Sequence, residues 1–80
     1  MDLADVAVFA EATHTRSLAG AARRLGIAPM AASRRLAALE EELGVRLIHR
    51  TTRTLAVTPE SEAFLPHAQA MLENEGEARA

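Results

Sequence analysis

Two clusters of this chain carry side chains suited to binding a polyanion. The first is Pro29-Met30-Ala31-Ala32-Ser33-Arg34-Arg35, a proline and small residues followed by a hydroxyl and two guanidinium groups. The second is Arg50-Thr51-Thr52-Arg53. A guanidinium donates hydrogen bonds in a fixed fork that fits a guanine edge or a phosphate, and a hydroxyl can bond either. Small neighbours let such groups approach a groove closely. Catalysis finds little here: Ser33 has no histidine partner at helical spacing, and an active site needs converging groups. His14, His49 and His67 are too far apart in sequence to resemble a zinc set, and the absence of cysteine excludes disulfides and thiolate metal sites. No metal, cofactor or enzymatic activity is expected. His49 reads as a phosphate or solvent contact.

The charge distribution favours the same chemistry. Eighty residues with a net charge of −2 would, as an average, repel nucleic acid. All nine basic side chains are arginine, however, and eight lie between Arg16 and Arg53. The only acids in that span are Glu40, Glu41 and Glu42, so eight cations against three anions leave a local net charge of +5. A polyanion senses this segregation rather than the total. The apolar runs are too short to cross a bilayer, and Met1-Asp2-Leu3 lacks a basic-then-apolar signal pattern. A cytoplasmic location without membrane contact is expected.

The elements that must hold these clusters follow from periodicity and punctuation. Residues 3–13 read as a helix with Leu3, Val6, Ala7 and Ala10 on one face and Phe9 beside them. Ser17 can cap a second helix whose face is Leu18, Ala21, Ala22 and Leu25, with Gly26 as a left-handed stop. Pro29 suits the first turn of a third helix, buried along Ala32, Leu36, Leu39 and Leu43 and ended by Gly44. On that helix Met30 and Arg34 point away from the buried stripe, with Ala31, Ser33 and Arg35 on the flanks. Neither arginine has an acid three or four positions further on to neutralise it within the helix. Glu40, Glu41 and Glu42, near the helix end, would repel DNA there.

Residues 45–48 and 54–57 read as two short strands joined by the polar tip 49–53. Thr58 and Pro59 open a fourth helix with an apolar stripe of Phe64, Ala68, Met71 and Leu72. Pro66 predicts a bend, and residues 73–80 are expected to fray. The fold class is therefore mainly α: a winged helix-turn-helix of three helices plus a two-stranded β wing, followed by a long fourth helix. The expected division is 1–58 for the winged domain and 59–80 for that helix.

These residues resemble the N-terminal domain of LysR-type transcriptional regulators over nearly the whole chain. The resemblance runs through Ser17-Leu18, Ala21-Ala22, Leu25-Gly26-Ile27, Ala31, Ser33-Arg34-Arg35-Leu36, Leu39-Glu40, Leu43-Gly44-Val45-Arg46-Leu47, Arg50-Thr51-Thr52-Arg53 and Thr58. It implies binding of double-stranded DNA at a partly palindromic operator by a homodimer, and it makes the helix of residues 59–80 the linker helix that pairs the two subunits. The DNA contacts it implies fall on Ser17, Pro29, Met30, Ala31, Ser33, Arg34 and Arg35, and on Arg50, Thr51 and Arg53 in the wing. Dimerisation would use Phe64, Ala68, Met71 and Leu72. The family's longer C-terminal region, which binds a small-molecule inducer, would be missing, and the chain is expected to be a truncated piece. Three departures from the family pattern stand out. Ala28 provides no side-chain cap, a loss of about 1 kcal/mol. Ala19 lacks a frequent hydroxyl, and Arg16 replaces a common glycine, adding a candidate phosphate contact. The alternative is a winged-helix protein-interaction module without DNA binding, which would present an exposed apolar patch in place of arginines.

Overall fold

A computed structural model describes residues 1–49 and 55–80. The chain forms α1 (Leu3–Thr15), α2 (Leu18–Leu25), α3 (Pro29–Leu43), β1 (Ile48–His49), β2 (Ala56–Val57) and α4 (Pro59–Arg79). Local chemistry sets most boundaries. Asp2 caps α1 by accepting from the Ala4 amide at 2.8 Å, and Ser17 caps α2 by accepting from the Gly20 amide at 2.9 Å. Thr58 caps α4 through the Ser61 amide at 3.1 Å, with Pro59 in the first turn. Ala28 makes no side-chain cap for α3, and Pro29, which has no amide hydrogen, begins that helix. Gly26 ends α2 with a φ of 71°, and the Ile27 amide folds back onto the Ala22 carbonyl at 3.0 Å. That reversal turns α2 into α3.

The core packs α2, α3 and α4 around α1, with Leu47 and Ile48 closing one end. Its large members are Phe9, Leu36, Leu39, Leu47, Ile48, Val6 and Val8, interleaved with the fully buried alanines Ala12, Ala21, Ala22, Ala32 and Ala68. The helices approach closely because so many contact positions lack bulk. Space is tight at Gly20, where a Cβ would lie 3.0 Å from Thr15 Oγ1 and would require that side chain to give by a few tenths of an ångström.

The α1 face differs from the periodic expectation. Leu3 is exposed, whereas Val8 and Ala12 are fully buried. Helices pack on more than one side of α1, so its apolar surface is wider than a single stripe. The strands also start later than expected: among the described residues the antiparallel ladder pairs Ile48 with Val57 and His49 with Ala56, so β1 begins at Ile48 and not at residue 45. Residues 45–47 are not strand because their polar groups bond elsewhere. The Leu47 amide donates to Glu40, the Leu47 carbonyl accepts from the Thr58 amide at 3.2 Å, and the Arg46 carbonyl accepts from the Thr58 hydroxyl at 2.6 Å.

The fourth helix continues past Pro66 and through residues 73–79, where fraying was expected. Glutamate and alanine favour helix there, and Arg79 pairs with Glu75 one turn back. Phe64 sets its ring 5.5 Å from that of Phe9, tilted by 48°, while Ala68 is fully buried against the core. Phe64→Ala is expected to cost about 2–4 kcal/mol, given partial burial and the lost ring contact. The measurement is urea unfolding, with a lower midpoint and an unchanged slope. An unchanged midpoint would detach α4 from the core.

Candidate nucleic-acid interface

The α2–α3 pair brings the first sequence cluster to the surface as one unit. Ala32 and Leu36 seat α3 in the core, which turns Met30 and Arg34 to solvent. Met30 is 70% exposed, a high value for an apolar side chain of that size. Pro29 is exposed, while Ala31 and Ser33 are half-buried on the flanks. Asp5, Ala31, Arg34, Arg35 and Ala38 line a shallow groove beside the helix. Ser17 begins α2, and accepting at its cap leaves its hydroxyl proton available to an outside acceptor.

The arginines divide into two groups. Among the described residues, Arg16, Arg23 and Arg34 have no ion-pair partner. Arg24 pairs with Glu11, Arg79 with Glu75 and Arg46 with Glu40, the last at 3.5 Å. Arg35, expected to be unneutralised like Arg34, has its Nη1 3.3 Å from Asp5 and 3.7 Å from Asp2. Those acids lie about thirty positions upstream, out of reach of any rule for pairs within one helix. The pair is partly solvated and stabilises the fold by less than about 1 kcal/mol. Its geometric effect is larger, because it ties the flank of α3 to the start of α1 and leaves Arg34 as the outward cation of the two.

Sequence reasoning missed Glu40. Taken as a surface acid that would repel DNA, it is in fact buried, at 6% exposure. Its Oε2 accepts from the amides of Leu47 at 2.8 Å and Ile48 at 3.2 Å, and its Oε1 faces Arg46. Glu40 lies four residues after Leu36 and next to Leu39, on the buried stripe of α3. A carboxylate on such a stripe is a readable signal, since burial there demands donors. Here the donors are the backbone leading into β1, so this side chain positions the base of the wing. The wing residues Arg50, Thr51 and Arg53 lie outside the described residues. Phe64, Ala68, Met71 and Leu72, expected at a dimer seam, pack on the core of the same chain.

Glu40→Ala would leave two buried amides without an acceptor, at a cost of about 2–4 kcal/mol. Amide hydrogen exchange should accelerate at Leu47 and Ile48 beyond any global change, and Glu40→Gln, which keeps one acceptor, should be milder. Uniform acceleration across the domain would remove the specific link to the wing.

The comparisons with known proteins agree with this architecture. Residues 3–62 match the model for bacterial regulatory helix-turn-helix proteins of the lysR family. A probable hydrogen peroxide-inducible genes activator of Mycobacterium xenopi is 45% identical over 71 residues, covering 89% of this chain and 38% of the relative. The Escherichia coli transcriptional regulator DmlR is 39% identical over 75 residues, covering 94% of this chain and 24% of its own. The chain thus spans well under half the length of these relatives. Among solved structures, a complex of the BenM DNA-binding domain with catB site 1 DNA superposes with a TM-score of 0.90 at 35% identity, covering 98% of this chain and 88% of that one. A CbnR DNA-binding domain in complex with DNA gives 0.91 at 32% identity, covering 98% and 90%. Family match and fold together place this chain in the lysR family of bacterial helix-turn-helix regulators.

Proposed function

We propose that this chain is a duplex DNA-binding domain that inserts the N-terminal half of α3 into the major groove. The observation that carries the reading is the outward face of that helix. Arg34 stands there without an ion-pair partner among the described residues, flanked by the exposed Met30 and Pro29 and by the small Ala31 and Ser33. A recognition helix reads base edges with its N-terminal residues, and small side chains permit close approach. Arg34 suits a bidentate contact with guanine, Ser33 a hydrogen bond to base or phosphate, and Met30 or Ala31 a thymine methyl. Arg35 reaches DNA only by sharing or leaving its pair with Asp5. Arg50, Thr51 and Arg53 supply wing contacts to backbone or minor groove in the same reading. Support comes from the two similar DNA-binding domains whose structures contain DNA.

The wider role is that of a transcriptional regulator and not an enzyme, working in the cytoplasm as a homodimer on a partly palindromic operator. A small-molecule inducer would act through a further domain. Pairing of subunits through α4 would use the surface its own core leaves free, which includes Ala63, Ala70 and the accessible parts of Met71 and Leu72. No helix among the described residues is long and apolar enough to cross a membrane.

Selection from a randomised duplex pool, followed by titration on the enriched sequence, tests this reading. Affinity should fall with salt by about 0.9 log–log unit per phosphate neutralised. Arg34→Ala should lose about 1–3 kcal/mol of discrimination at one base pair and broaden the selected motif there. An unchanged motif would remove Arg34 from base reading, and failure to enrich any duplex would sink the DNA-binding reading itself.

A further inference from the structure

Arg16 is the one non-glycine residue with positive φ among the described residues, at φ 58° and ψ 33°, closing the C-terminus of α1. In this left-handed region the Cβ crowds the backbone at a cost of roughly 1 kcal/mol, which glycine at a helix end avoids. Among the described residues nothing offsets that strain through the side chain. Arg16 is exposed and has no carboxylate within ion-pairing distance among the described residues, although Glu62 lines the same groove. Strain held at an exposed, unpaired cation points outward, to a partner that is not part of the fold.

The position of Arg16 indicates which partner. It immediately precedes Ser17, the cap of α2, so it stands at the positive end of the first helix of the helix-turn-helix. That helix is the one that crosses the DNA backbone when its successor enters the groove. Arg16 also shares a groove with Leu55, Ala56 and Val57 at the base of the wing. It therefore lies between two parts of the domain that approach a duplex, away from the base-reading face of α3. We infer that Arg16 is a backbone-phosphate contact bridging the start of α2 and the wing, adding affinity without sequence readout. This rests on the duplex-binding reading above.

The test compares wild type, Arg16→Gly, Arg16→Lys and Arg34→Ala by fluorescence anisotropy on a labelled mixed-sequence duplex over a range of salt, alongside thermal unfolding. Arg16→Gly should raise Tm by about 2–6 °C as strain is relieved. It should nevertheless weaken binding roughly five- to tenfold near ~0.1 M salt and flatten the log–log slope by about one unit per subunit bound. Arg16→Lys, which keeps the charge, should retain the wild-type slope. Higher stability with weaker, less salt-dependent binding is a combination that a purely structural arginine cannot produce. Arg16→Gly binding with wild-type affinity and slope, while Arg34→Ala still changes the selected sequence, would overturn the Arg16 contact and leave the DNA reading intact. Weaker binding with an unchanged slope would also overturn it. If wild type itself binds no duplex, both inferences fall together.

Discussion

Where α3 gives way to the wing, the backbone leaves a self-satisfied helix for an extended segment whose ladder holds two residue pairs among the described residues. A lone two-stranded hairpin has little stability of its own in water. The buried carboxylate of Glu40 supplies what the ladder lacks, accepting the amides of Leu47 and Ile48 from within α3. The same residue's carbonyl accepts the Gly44 amide that closes the helix. Thr58 completes the junction from the other side through the Arg46 and Leu47 carbonyls. The orientation of the wing relative to α3, and the start of α4, follow from these few polar groups.

The second organising feature is the division of the arginines. A domain with a negative total charge can still present a cationic surface if its acids neutralise selected arginines and leave others unpaired. Glu11 and Asp5 hold Arg24 and Arg35 against α1, whereas Arg16, Arg23 and Arg34 lack such partners among the described residues. These ion pairs contribute little stability, being partly solvated. What they do is choose which guanidinium groups remain free, and on α3 they turn two adjacent arginines into one held and one free.

Much of this architecture is legible from local sequence signals. The caps at Ser17 and Thr58, the stop at Gly26, the uncapped start at Pro29 and the buried stripe of α3 are all decided by residues within a turn of one another. What escapes such reading depends on distant partners. The burial of Val8 and Ala12 requires helices on more than one side of α1. The late start of β1 depends on bonds from Glu40 and Thr58, and the pairing of Arg35 on acids near the start of the chain. The outward direction of Arg34 was readable from periodicity alone. That Phe64 packs on the core of the same chain was not, because an apolar stripe reveals burial but not what surface covers it.

The alanine-lined contacts of α1, α2, α3 and α4 have a consequence for how this sequence can drift. Ala12, Ala21, Ala22, Ala32 and Ala68 are all at most 1% exposed, so each stands where the core is already closed around it. A larger residue at any of them must displace its neighbours, typically at about 1–3 kcal/mol, a serious loss for a core this small. Few sites are open to enlargement, and the alanines have little left to lose by shrinking. Most surface positions carry no such restriction. Enlargement is therefore absorbed more readily on the outside, in the pattern of charges and caps, than at these interior alanines.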